Sequence, residues 1–476
     1  MEKISRRDFL GRSATTASAM ALSSSLTASS SAGAETFEYK PGSGWPFSRE
    51  REKANQTMAQ ASAPRVIKVR DNVYTAVSYA LATMIMIETP EGLVIIDTTE
   101  SLSVAKTIMA EFRKITNKPV KVVIYTHNHG DHFRGTKAFY EPGMTIIAHK
   151  DFMAEVKLQD ARGKSAAIRA AAMFGLINPP AERASMVFSY PVPNRAGLMW
   201  EALDPAHLVW PNQTFEKTYS FQLGGINFSL LHAPGETPDQ IIVEIPEYKV
   251  VCCADNFYAS FPNLYTIRGT SSRPVLEWAA AQDKMIALQP EFLVPGHGDP
   301  VYGKDTIKEV LGNYRDAILH VHKLALDAVQ EFKPIDEVVA NAALPPQLAS
   351  LPYLEQSYGS VAYSVRSIYE SYVGWFDGNP VNLSPFSRKA LGAELLAVAG
   401  SAEKVLRRAD LAQREGRHQV VLELCEMVLA NDPKNRTARL MKIDALLAMS
   451  KLTANFPTAA YYDTFAKWEK SMLKEG

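Results

Sequence analysis

From Val66 to Ile96 the apolar residues come in short runs, Val66-Ile67-Lys68-Val69, Val73-Tyr74-Thr75-Ala76-Val77, Met84-Ile85-Met86-Ile87 and Leu93-Val94-Ile95-Ile96, broken at Asp71-Asn72 and Glu91-Gly92. Short β-rich runs between turn residues predict strands. The spacing then lengthens to a helical one over Ser101 to Thr116, and another apolar run, Val122-Val123-Ile124-Tyr125, follows it. Further on, Phe215 to Leu223 and Ile226 to Leu231 flank Gly224-Gly225, the signature of a hairpin. Apolar runs recur at Ile241-Ile242-Val243, Val250-Val251-Cys252-Cys253-Ala254 and Phe292-Leu293-Val294. Strands that begin antiparallel and then alternate with helices predict an α/β fold of two sheets covered by helices, an αββα sandwich rather than a doubly wound sheet.

Two stretches break this rhythm. Between Phe152 and Trp210 the chain is rich in Ala, Pro and Arg with little clean periodicity, and it reads as a long insertion of the kind that forms lids or substrate walls. After Gly303 the pattern becomes helical, first from Lys304 to about Phe332 and then, beyond Pro345-Pro346 and Gly374 to Pro380, through an all-α bundle from Ala393 to Ser450. The section from Ala402 to Met449 resembles one tetratricopeptide-like helical pair. A single such unit cannot bury its own face, so a neighbour or a second subunit must cover it.

A chain of 476 residues is too long for one ordinary core. Basic and acidic residues balance at 51 each, which removes the electrostatic footprint of a nucleic-acid or anionic-membrane binder and leaves a small molecule as the default partner. The N-terminus, Ser5-Arg6-Arg7-Asp8-Phe9-Leu10 followed by Ala-, Ser- and Thr-rich residues up to Ala32-Gly33-Ala34, reads as a twin-arginine export signal cleaved before Glu35. It is too polar for a membrane helix, and the expected location is periplasmic or secreted. The organisation is then a signal at 1–34, a catalytic domain at 35–303 and an all-α domain at 304–476. Cys252, Cys253 and Cys425 give no disulfide framework and read as buried inert thiols.

The chemistry concentrates after the Val122 run. His127-Asn128-His129-Gly130-Asp131-His132 is an H-x-H-x-D-H motif, four metal-ligating side chains in six residues. Three imidazoles and a carboxylate cannot share a core without heavy desolvation cost, so a metal is the natural partner. Zinc suits this mixed donor set, and iron or manganese would also accept it.

Further along, Ala233-Pro234-Gly235-Glu236-Thr237-Pro238 resembles the T-P-G-H-T-P-G turn of the metallo-β-lactamase superfamily, with Glu236 in the histidine's place. Asp255 ends an apolar strand where that superfamily puts its bridging aspartate, and His297 follows another strand in Pro295-Gly296-His297-Gly298. His232 competes with Glu236 as a ligand, with Glu236 preferred for its place after Pro-Gly. Together with Asn263-Leu264-Tyr265-Thr266-Ile267-Arg268-Gly269 and Tyr372-Val373-Gly374-Trp375-Phe376-Asp377-Gly378-Asn379-Pro380, these motifs make the chain resemble the alkyl sulfatases of that superfamily, from about Val66 to Lys470.

The resemblance implies a metallo-β-lactamase sandwich followed by an all-α dimerisation domain, two zinc ions per chain and a homodimer. His127, His129 and Glu236 would hold one zinc, Asp131, His132 and His297 the other, and Asp255 would bridge them. Asn263 and Arg268 would border the sulfate pocket, and Asp255, Asn263 and Arg268 are the catalytic candidates. The chain departs from the family at Asp255, where glutamate is usual, at His297-Gly298, where a histidine doublet is usual, and at Pro262, where a histidine is usual. A sterol-carrier-like C-terminal domain found in the family has no counterpart in this sequence.

The function expected is a zinc-dependent hydrolase of alkyl sulfate esters. Two rivals stand beside it: another dinuclear hydrolase of the same fold acting on phosphoesters, thioesters or lactams, and a non-catalytic binding protein with a vestigial metal site.

Overall fold

Successive residues of a strand face opposite sides of its sheet, and here the two sides belong to different cores. In β4 (Gly92–Ile96), Val94 and Ile96 pack between the sheets while Leu93 and Ile95 pack outward against a helix. The computed structural model describes residues 64–175 and 205–473, so the expected export signal lies outside the described residues.

The first sheet runs in the order β1 (Arg65–Arg70), β2 (Val73–Val77), β3 (Met84–Thr89), β4, β5 (Val120–Ile124), β6 (Thr145–His149) and β7 (Gln213–Phe215). Pairing is antiparallel up to β4 and parallel from β4 to β7. The second sheet contains β8 (Thr218–Leu223), β9 (Ile226–His232), β10 (Ile241–Ile245), β11 (Val250–Ala254), β12 (Phe292–Pro295) and β13 (Val301–Tyr302), neighbours in that order. Gly224 and Gly225, both at positive φ, close the expected hairpin between β8 and β9. The expected single strand from Phe215 to Leu223 is instead two strands in different sheets, with Glu216-Lys217 as the crossover.

Between the sheets Ile85, Val94, Ile124 and Ile147 of the first meet Phe228, Leu230, Val243 and Cys252 of the second. Helix α1 (Leu102–Arg113), capped by Ser101 Oγ, lays Val104, Ile108 and Phe112 on the outer face of the first sheet. On the outer face of the second sheet lie α4 (Val275–Ala287) and the 27-residue α5 (Lys304–Gln330). The αββα sandwich is therefore the observed fold. The insertion is partly regular: α2 (Phe152–Asp160) and α3 (Gly163–Met173) occupy its first part. Their apolar stripe is narrow, and α3 buries only Ala172 and Met173, which explains why no clear period marks them.

Beyond α5 come α6 (Val361–Val373), α7 (Arg388–Ala399), α8 (Ala402–Arg414), α9 (His418–Asn431), α10 (Arg436–Leu452) and α11 (Phe456–Met472). The change at 303 is one of secondary structure and not of packing. One core runs from Val251 and Cys253 in β11 through Trp278, Leu311 and Tyr314 to Val361 and Ile368 in α6. Cys252 and Cys253 thus face different cores, and with Cys425 they are buried free thiols. Among the described residues no helix is long and apolar enough to cross a membrane.

Candidate metal centre and anion loop

β4 and β5 are parallel neighbours, so their carboxyl ends deliver Asp97 and Thr126-His127 side by side. Asp97 Oδ1 accepts from the Thr126 backbone N–H at 2.9 Å, and Oδ2 accepts from Thr126 Oγ1 at 2.8 Å. Oδ2 also lies 2.7 Å from His132 Nδ1, which leaves the other ring nitrogen, Nε2, facing the site. A helical turn, Gly130–Phe133, carries Asp131 and His132 away from His127 and His129. The compact motif thereby supplies ligands to two places rather than one.

Two trios result. His127, His129 and Asp255 form one, and Asp131, His132 and His297 the other, with the ligand atoms of each within 4.8 Å of one another. Asp255 Oδ2 stands between them, 3.8 Å from His127 Nε2, 3.5 Å from His132 Nε2 and 3.2 Å from His297 Nε2. β11 turns at Ala254, whose φ is 50°, to aim this carboxylate. Gly296 leaves it room, because a Cβ there would fall 2.4 Å from Asp255 Oδ1 and 3.1 Å from His132 Cε1. His297 Nδ1 donates to the Leu81 carbonyl at 2.8 Å, so its Nε2 also faces the centre.

Glu236 is buried beside these groups but sits in neither trio. Its Oε1 is 2.5 Å from Nη1 of Arg273, while Asp255, expected as the bridge, stands with His127 and His129. His232 lies apart, donating Nε2 to the Pro238 carbonyl at 2.7 Å with its ring stacked on His149 at 4.0 Å.

Burial, reinforced by neighbouring cations, holds His127 and His129 well below the ordinary imidazole range. Burial opposes charge on His132 and His297 too, but there Asp255 and Asp131, with Asp97 for His132, win. His297 is pushed up to about 9. Burial raises Glu236 to about 7 against the pull of Arg273. His132 Nε2 and Asp255 Oδ1 are buried without a hydrogen-bond partner. Each such group costs about 1–3 kcal/mol, and a cation held between them removes that cost. Four imidazoles and two carboxylates in two trios fit a pair of divalent cations of the zinc type.

Asn263 to Gly269 runs alongside. Arg268 Nη2 lies 3.2 Å from His129 Nε2, and Asn263 Nδ2 is buried with no hydrogen-bond partner. Two donors at the rim of a cationic centre are suited to an oxyanion. Arg162, the residue just before α3, and Arg169 on α3 hold the far end of this loop, donating to the carbonyls of Gly269 at 3.0 Å and Ile267 at 2.9 Å. The near end is strapped to the helical half. Phe261 N–H donates to the Glu355 carbonyl at 2.9 Å, and a Cβ on Gly359 would fall 2.3 Å from the Pro262 carbonyl oxygen. Asn455 Nδ2 in turn reaches the carbonyls of Gln356, Tyr358 and Gly359 at 3.1, 2.9 and 3.1 Å. Asp97 and Arg273 are site residues that sequence reasoning missed. An acid ending a fully apolar strand was the available signal for Asp97, and no local pattern marks Arg273.

Residues 81–297 match the family model of the metallo-beta-lactamase superfamily, and residues 334–471 match that of alkyl sulfatase dimerisation. A linear primary-alkylsulfatase from a Pseudomonas species is 34% identical over 387 residues, covering 79% of this chain and 72% of that protein. The chain belongs to the alkyl sulfatase family. Within the family, an (R)-specific secondary-alkylsulfatase from Pseudomonas is 27% identical, matched over 82% of this chain and 60% of its own length. The solved structure of the stereoselective inverting sec-alkylsulfatase Pisa1 from Pseudomonas superposes with a TM-score of 0.80 at 26% identity, covering 88% of this chain and 67% of that one. These family members are longer than the span that this chain shares with them.

Proposed function

We propose that the protein hydrolyses alkyl sulfate esters at a dinuclear zinc centre, adding water across the ester to release an alcohol and sulfate with a proton. The observation that carries this reading is the juxtaposition of two metal-type trios, with Asp255 Oδ2 near imidazoles of both, and the Asn263–Arg268 loop, in a chain of the alkyl sulfatase family. His127 and His129 would hold one cation, Asp131, His132 and His297 the second, and Asp255 would bridge. Glu236 would join the first. A bound pair of divalent cations would make water a nucleophile at neutral pH and neutralise charge as the ester breaks. Arg268 and Asn263 bind the sulfuryl oxygens, and the planar guanidinium fork suits a sulfate group better than an ammonium would. Burial of the trios excludes bulk water and strengthens each of these contacts.

The family's dimerisation segment and the exposed apolar residues around Trp375 support a homodimer. The Ser5–Leu10 pattern supports export by the twin-arginine route to the periplasm or beyond. The deciding experiment is a screen of zinc-loaded protein against primary and secondary alkyl sulfates, phosphate monoesters, thioesters and lactams. Turnover of alkyl sulfates above the other classes is expected. Turnover confined to the others would end the sulfatase reading and leave the metal centre standing.

A further inference from the structure

Among the described residues, the ion pair between Glu236 and Arg273 is the most enclosed one between a carboxylate and an arginine or lysine, its side chains 4% and 1% exposed. Burying a guanidinium is costly unless its donors are used, yet only one nitrogen of Arg273 is. Nη1 reaches both Glu236 Oε1 and the Asn263 carbonyl oxygen at 2.5 Å, while Nε and Nη2 are buried with no hydrogen-bond partner. An apolar side chain would fill this space more cheaply if filling were all that was needed. A single nitrogen therefore ties the carboxylate beside Asp255 to the backbone of the residue that opens the anion loop.

We infer that Arg273 is a positioning residue that fixes the Glu236 carboxylate toward the metal centre and locks its distance to the Asn263–Arg268 loop. Glu236 needs such a device. Its backbone follows Pro234-Gly235, where a Cβ at Gly235 would fall 1.9 Å from Asn256 Oδ1, so the turn is clamped, but the side chain extends beyond that clamp. Of its two carboxylate oxygens, Arg273 engages Oε1, and a cation would take the carboxylate from the other side. Lysine at 273 would keep the charge and could serve both acceptors from its one nitrogen, but on a shorter, freely rotating stem without the fixed direction of the planar guanidinium.

The inference rests on reading Glu236 as a metal ligand, and the test separates the two. Zinc-loaded wild type, Arg273→Lys, Arg273→Gln, Glu236→Gln and the double variant Arg273→Gln/Glu236→Gln are challenged with a chromophoric chelator, and the rate of zinc release is followed. Steady-state kcat and KM for an alkyl sulfate are measured alongside. Faster release is expected in Arg273→Gln by about tenfold, with partial rescue in Arg273→Lys, and no further acceleration when Arg273→Gln is added to Glu236→Gln. The activity loss should fall on kcat more than on KM. If Glu236→Gln releases zinc faster and Arg273→Gln does not, the positioning role is overturned while the ligand reading survives. If Glu236→Gln itself leaves release unchanged, the ligand reading fails and takes this inference with it. Should Arg273→Gln not fold, Arg273→Lys alone decides, wild-type release rates counting against the role.

Discussion

Asp97 Oδ2 lies 2.7 Å from His132 Nδ1, and the same carboxylate accepts two hydrogen bonds from Thr126, one residue before His127. One buried acid thus fixes the ring orientation of a ligand in the second trio and the backbone from which the first trio starts. Carboxylates behind ligating histidines typically contribute about 10–100-fold in metal affinity.

Replacing Asp97 with Asn should therefore weaken zinc binding by about that factor without removing any direct ligand. Competition with a chelator of known affinity measures it. Wild-type affinity in Asp97→Asn would show that Asp97 serves folding alone.

Elemental analysis of protein matured in vivo should give two metal ions per chain, falling to one or fewer in Asp255→Ala, because Asp255 Oδ2 stands within 3.8 Å of an imidazole from each trio. Two ions retained in that variant would remove Asp255 from the bridge.

Arg268→Ala and Asn263→Ala should each keep both metals and lose turnover on a sulfate ester. Loss of a charge-assisted contact to a desolvated anion costs about 2–5 kcal/mol, so catalytic efficiency should fall at least thirtyfold for Arg268→Ala. Full activity in that variant would exclude the guanidinium from the sulfate contact. Metal loss in either would place these side chains in support of the ligands instead.

Trp375, Val381, Phe386 and Val398 are 75%, 76%, 69% and 87% exposed and lie within the segment that matches the alkyl sulfatase dimerisation model, so a dimer would cover them. Light scattering should find a dimer at micromolar concentration, and Phe386→Asp with Val398→Asp should shift it toward monomer. A dimer unmoved by both charges would place the contact elsewhere.

Burial raises Asp239 to about 7, against the hydrogen bonds it accepts, one of them from Asn128 Nδ2 at 2.6 Å. Because its folded pKa lies above the unfolded one, its stabilising contribution is complete below about pH 4 and is lost as pH rises through 7. Asp239→Asn keeps an acceptor for Asn128 and abolishes that loss. Its Tm should exceed wild type by more at pH 8 than at pH 5. An equal difference at both values would show that Asp239 does not titrate in this range.

The sheets were legible because β4 and β11 are apolar on both sides and can only be central strands. The metal site was half legible. His127 to His132 announce themselves as one segment, whereas Asp255 and His297 each lie alone at a strand end and are identifiable only by family pattern. The ion-pair partner of Glu236 could not be read, since Arg273 lies 37 residues away in sequence. The run at Phe215 misled because Phe215 keeps the parity of Tyr219, Phe221 and Leu223, and only Lys217 breaks the alternation where the chain changes sheets. α2 and α3 were hidden by small, weakly patterned residues.

The strap between Glu355–Gly359 and Phe261–Pro262, secured in turn by Asn455, means that the two halves of this protein are not interchangeable parts. A chimera joining its sandwich to the helical half of a relative would have to reproduce a backbone approach that tolerates no Cβ at position 359. Because one core also runs across the seam near Gly303, recombination between family members there should disturb the packing on both sides and, with it, the position of the anion loop.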